Sequence, residues 1–102
     1  MDNRWFKRVP MRLNVLMHYS PLGIINGTTQ NVSSSGMFIA TGRITLIAEE
    51  LLSLHFRYPD QLEGKLYTVD AQIIHTCQDG AGLQFIKFQL DPAELPLNYR
   101  IS

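Results

Sequence analysis

The chain of 102 residues has one cysteine, no net charge and no apolar run approaching the length of a membrane span. The lone Cys77 excludes an internal disulfide and a cysteine-based zinc framework, and it fits a reducing compartment. The first residues, Met1-Asp2-Asn3-Arg4-Trp5, lack the apolar stretch of a secretory signal. Cytoplasm is therefore the expected location, and the two glycosylation sequons at Asn26 and Asn31 carry little weight. There are no repeats, low-complexity tracts or linkers, so 1–102 reads as one domain.

Catalytic patterns are missing as well. His18, His55 and His75 fall in different strand-like segments without metal-ligand spacing. Ser33, Ser34 and Ser35 are not flanked by the glycines of a nucleophile elbow. The carboxylates Glu49, Glu50, Asp60, Asp70 and Asp79 form no acid–base pattern. Gly80-Ala81-Gly82 is too short for a dinucleotide fingerprint and lies in a hairpin rather than before a helix. An enzyme is the unfavoured class, and no metal or catalytic cofactor is expected.

What is present alternates with a period of two. Met11, Leu13, Val15, Met17 and Tyr19 share one side of a strand, and Ser20-Pro21-Leu22-Gly23 turns the chain into a second strand over 24–32. Gly27 predicts a bulge or sharp bend in it. Ser33 to Gly36 is a further turn before the short strand 37–41. Leu52, Leu54, Phe56 and Tyr58 mark a fourth strand, residues 65–77 a long fifth, and Gln78-Asp79-Gly80 turns into a sixth over 83–90. Within 44–51, Ala48-Glu49-Glu50-Leu51 suits one helical turn. Asp91-Pro92-Ala93-Glu94 carries helix-start chemistry that Pro96 soon ends. The fold class is thus all-β: a small antiparallel six-stranded barrel with a short C-terminal helical turn. Residues 1–10 form an arm, 11–90 the barrel and 91–102 a tail. Leu95, Leu97, Tyr99 and Ile101 alternate in that tail; they cover the barrel base, or form an edge that leaves a homodimer open.

The zero net charge hides an asymmetry. Residues 1–12 carry Arg4, Lys7, Arg8 and Arg12 against Asp2, whereas the remainder is acidic. A basic arm on an acidic body attracts a small anion and argues against general nucleic-acid binding, which needs a basic face with many phosphate contacts. Arg4 and Arg8 stand four residues apart, and guanidinium forks suit phosphate oxygens and the O6/N7 edge of guanine. Asn31-Val32-Ser33-Ser34-Ser35-Gly36 adds an amide, hydroxyls and a turn.

Together these pieces resemble the signature of the PilZ domain family of bacterial cyclic di-GMP receptors: Arg-x-x-x-Arg, then a strand pair, then Asp/Asn-x-Ser-x-x-Gly. Arg4 and Arg8 match the first motif; Asn31, Ser33 and Gly36 match the second. Ala71-Gln72-Ile73-Ile74 and Gly82-Leu83-Gln84-Phe85 resemble the family's last hairpin, so the likeness spans roughly 4–95. It implies a PilZ-type barrel binding cyclic di-GMP through Arg4, Arg8, Asn31, Ser33 and Gly36. Lys7, Arg12, Ser34 and Ser35 are accessory contacts, and Gly36 is expected to supply a backbone conformation barred to other residues. Asn31 stands where Asp is common, and Ser35 where a second glycine is frequent. The implied role is a stand-alone second-messenger adaptor: ligand orders the arm, and an effector protein reads the result. Two other readings stand beside it, a PilZ-like adaptor that binds protein but no nucleotide, and a barrel for single-stranded nucleic acid that the acidic body disfavours.

Overall fold

The computed structural model describes residues 9–58 and 65–90. Seven strands follow in order: β1 (Val9–Pro10), β2 (Asn14–Tyr19), β3 (Gly23–Val32), β4 (Gly36–Ala40), β5 (Leu51–Tyr58), β6 (Lys65–Cys77) and β7 (Gly80–Phe85). The sheet runs β1-β3-β2-β5-β6-β7-β4, all antiparallel, and β3 also pairs with β4. That last pairing closes β2 to β7 into a six-stranded barrel, with the two-residue β1 added alongside β3. Closure removes free sheet edges. No helix occurs among the described residues. The predicted C-terminal helical turn and the alternating tail lie outside them.

Strict alternation explains the wall. In β2 every second residue is buried, and in β5 Leu52, Leu54, Phe56 and Tyr58 point inward. Met17, Ile39, Leu54, Ala71 and Ile73 are fully enclosed. Each of these but the smaller Ala71 contributes about 1.5–3 kcal/mol over leaving it in water. Phe56, Tyr67, Phe85 and Phe88 pack together at one end, with Tyr67 and Phe88 centroids 5.3 Å apart and Phe85 and Phe88 5.6 Å apart.

Between β1 and β2 the strand is interrupted, and a buried hydroxyl fills the break. Thr29 accepts a hydrogen bond from the Leu13 amide at 2.7 Å and donates one to the Met11 carbonyl at 2.7 Å. Met11 and Leu13 stay on the core side, so the facing predicted for 11–19 holds across the gap.

Four details differ from the sequence reading. Gly27 keeps its register opposite Val15; it is needed because a Cβ there would lie 2.8 Å from Ile39 Cδ1 and 3.0 Å from Met17 Cε. The bulge sits further on. Thr29 pairs with Ile39 and Asn31 with Phe38, leaving Gln30 as the extra residue. The expected helical turn over Ala48 to Leu51 is absent: Ala48 and Glu49 make a tight turn, with φ of 79° at Glu49, and Leu51 already belongs to β5. Finally, β7 stops at Phe85 rather than Leu90; Lys87 adopts φ of 54°, and Leu90 donates to Ser34 instead of extending a ladder.

Residues 41–50 cross the barrel end between β4 and β5. Leu46 plugs the opening, while the Glu49 amide bonds Ile73 and the Ile73 amide bonds Glu50. Tyr19 fastens the crossing from inside, donating to Glu50 at 2.6 Å and accepting from the Ile47 amide at 3.2 Å.

Candidate ligand site at the barrel rim

The second motif lies at the end opposite that plug. The Ser33 amide donates to the Gly36 carbonyl at 2.8 Å, which defines a tight turn between β3 and β4. The Ser33 hydroxyl, almost wholly buried, donates to the same carbonyl at 3.3 Å. The turn is also held from outside: Phe85 donates to Ser35 and Leu90 to Ser34, each at 2.8 Å. A site so pinned on its backbone is pre-organised, and a ligand need not supply its ordering.

Gly36 is required for a different reason than expected. Its φ lies outside the left-handed region, but a Cβ would drive into the Leu83 carbonyl oxygen of the paired strand. The glycine permits close approach of β4 to β7, where Gly36 faces Gln84.

The Gln30 bulge decides which way Asn31 points. In plain alternation Ile25, Gly27, Thr29 and Asn31 would share the inward face. The extra residue shifts the phase, so Val32 is buried in the core and Asn31 is half-buried at the rim. Asn31 is partnered there rather than free.

Arg4, Lys7 and Arg8 lie outside the described residues. The chain that follows them is tied to the second motif, with Val9 opposite Val32 and Pro10 opposite Asn31. Arg12 is exposed on the β1–β2 interruption and opens onto a separate depression of about 420 Å³, shared with Leu16, His55 and Arg57. Thus Asn31 and the Ser33–Gly36 turn are gathered at one rim, and Arg12 stands apart from it.

Sequence reasoning missed the other wall beside the turn. A groove of about 550 Å³ runs between Ser35 and the segment Gln84, Phe85, Lys87, Phe88 and Gln89. It offers an ammonium, two amides and an aromatic edge next to the hydroxyls. The single available signal was the run of polar residues at 84, 87 and 89 alternating with Phe85 and Phe88. Among the described residues no three His, Cys, Asp or Glu side chains are grouped closely enough to hold a metal ion. His18 and His55 meet edge to face at 4.9 Å on the outer wall, away from the turn. No described helix is long and apolar enough to cross a membrane.

Comparison with known proteins follows this geometry. The family model for the PilZ domain matches residues 2–99. Among solved structures, the Bacillus subtilis inhibitor of motility MotI/DgrA is similar, with a TM-score of 0.74 at 17% identity. The match covers 86% of this chain and 44% of that one, so the chain spans less than half the length of the protein it resembles. At that identity the likeness is one of fold. No curated protein sequence matches the chain.

Proposed function

The chain belongs to the PilZ domain family, and on that premise we propose that it is a receptor for cyclic di-GMP that passes ligand binding to an effector protein. The observation that carries this reading is the register of β1, which joins the chain just after Arg8 to the strand that bears Asn31. Arg4 and Arg8 then bind phosphate oxygens and guanine O6/N7 as forks, and Asn31 meets a guanine edge from the barrel rim. Lys7 and the Ser34 and Ser35 hydroxyls act as accessory contacts, and Arg12, on its separate depression, is left out of the site. Ser33 and Gly36 shape the turn. Binding orders the arm against a wall that is already rigid, which gives an effector a surface that exists only with ligand. The protein performs no chemistry of its own.

A second reading, an adaptor that binds protein without nucleotide, is favoured by one fact: the Ser33 hydroxyl is buried and engaged with Gly36. Calorimetric titration with cyclic di-GMP separates the two. We expect saturable heat, weakened roughly 10- to 150-fold by Arg8→Ala or Arg4→Ala, because charged hydrogen bonds contribute about 1.5–3 kcal/mol. A folded wild-type protein giving no heat and no displacement of a labelled analogue would sink the receptor reading and leave the second.

A further inference from the structure

The plugged end of the barrel carries an apolar surface that the ligand site does not use. Eight large aliphatic side chains are exposed among the described residues, and six of them, Leu22, Ile24, Ile44, Ile47, Leu51 and Ile74, belong to this end. Only Leu16 and Leu66 lie elsewhere, on the wall. Local structure explains the grouping. Of its apolar side chains the crossing over 41–50 buries Leu46 and leaves Ile44 and Ile47 exposed. Tyr19 draws the Ile47 amide to the end of β2, just before the turn that carries Leu22. Glu49 and Glu50 bond Ile73, which brings Leu51 beside the β6 irregularity where Ile74 is the extra residue. The exposures run from 37% to 63%. They amount to roughly 500 Å² of apolar surface, near the upper bound of about 300–600 Å² for the largest patch of a typical monomer.

We propose that this end is a two-fold interface with a second copy of the chain. Three observations select that occupant. First, six exposed aliphatic side chains gathered at one barrel end are covered by no described element. Second, the rim is self-complementary. Arg43 lies at the start of the crossing and Glu49 at its end, and both are exposed. A two-fold axis near the middle of the crossing lays two such segments antiparallel, which sets Arg43 of each copy against Glu49 of the other. Third, the chain has no net charge, so two copies approach without overall repulsion. Strand addition is not the route, because the closed barrel offers no free edge at β2 to β7. Docking is by side chains, and the two ligand rims then face away from each other at the ends of the pair.

The inference does not rest on the receptor reading. Sedimentation or light scattering of the full chain over about 1–300 µM is expected to show a monomer–dimer equilibrium, the range in which a modest interface assembles. Ile47→Glu, at an exposed position, is expected to leave circular dichroism and the melting temperature unchanged while weakening the dimer at least tenfold. Arg43→Glu and Glu49→Arg each weaken it, and the double exchange restores it. A monomer throughout, a dimer indifferent to Ile47→Glu, assembly beyond a dimer, or no rescue by the double exchange would each overturn the proposal. Titration of Ile47→Glu with cyclic di-GMP reports on the other reading independently.

Discussion

Replacing Thr29 by valine keeps the shape of the side chain and removes one oxygen, and we expect that oxygen to matter more than the methyl group beside it. Thr29 is fully buried, and its hydroxyl serves both broken ends of the β1–β2 wall, the Leu13 amide and the Met11 carbonyl. Valine leaves both backbone groups without that partner in the interior. Each unsatisfied buried group costs about 1–3 kcal/mol, so Thr29→Val should destabilise by roughly 2–6 kcal/mol. Thr29→Ser keeps the two hydrogen bonds and loses one buried methyl, about 1 kcal/mol. In urea, with a slope of about 1.5 kcal/mol/M for a domain of this size, the valine midpoint falls by about 1.3–4 M and the serine midpoint by about 0.7 M. Because a small domain has only about 5–15 kcal/mol in total, the valine variant sits near the edge of folding. Equal midpoints for valine and wild type, or a serine variant less stable than the valine one, would refute the reasoning; either shows that the interruption is satisfied without Thr29.

The two core-side glycines should respond unequally to alanine. Gly36→Ala meets the Leu83 carbonyl, which cannot move without parting β4 from β7, so we expect a loss of at least about 2 kcal/mol in a thermal or urea melt, accompanied by weaker cyclic di-GMP binding. Gly27→Ala meets side-chain atoms, Ile39 Cγ1 and Cδ1 and Met17 Cε, rather than backbone, and should cost about 1–2 kcal/mol, partly recovered in a double-mutant cycle with Ile39→Val. At alkaline pH, Tyr19 is the residue to watch: its hydrogen bond to Glu50 and then its burial raise its pKa above the ordinary 10.0. A raised folded-state pKa means its stabilisation is fully present below about pH 10 and is lost as pH climbs through the folded value. Wild type should therefore lose urea resistance more steeply above pH 10 than Tyr19→Phe, whose own stability is lower at neutral pH; parallel curves would show that the contact is not linked to folding.

Most of the wall could be read before any coordinates. In β2, β5 and β6 one face is buried and one is wet, so the period of two is written directly into residues 11–19, 52–58 and 65–73. The turns at Ser20–Gly23, Ser33–Gly36 and Gln78–Asp79 announced themselves by composition. The crossing over 41–50 was harder, because its apolar residues alternate like a strand and only Leu46 is used as a plug. The end of β7 was hidden for a similar reason: Ile86, Phe88 and Leu90 still alternate, though with the phase reversed after Phe85, and the left-handed backbone at Lys87 has no glycine to mark it. At the site, Asn31 and the serine turn were legible as a motif, but the reasons behind them were not. The Gln30 bulge lies between two polar residues, where a change of facing leaves no trace in hydropathy. Gly36 depends on Leu83, and the groove beside Ser35 on Lys87 and Phe88, about fifty residues away in the chain. Contacts of that separation are set by closure, which local patterns do not encode.

Gln30 has one more consequence. Upstream of it, β3 faces the core on odd numbers; at Val32 it faces the core on an even one. The one-residue phase slip that helps bend β3 around the barrel is also the slip that turns the amide of Asn31 out to the rim. Curvature and aim are therefore a single degree of freedom. Substitutions that let Gln30 take the place opposite Phe38 would turn Asn31 to the interior and present the apolar Val32 in its place, so with Gln30 in the chain the bulge and the rim are kept or lost together.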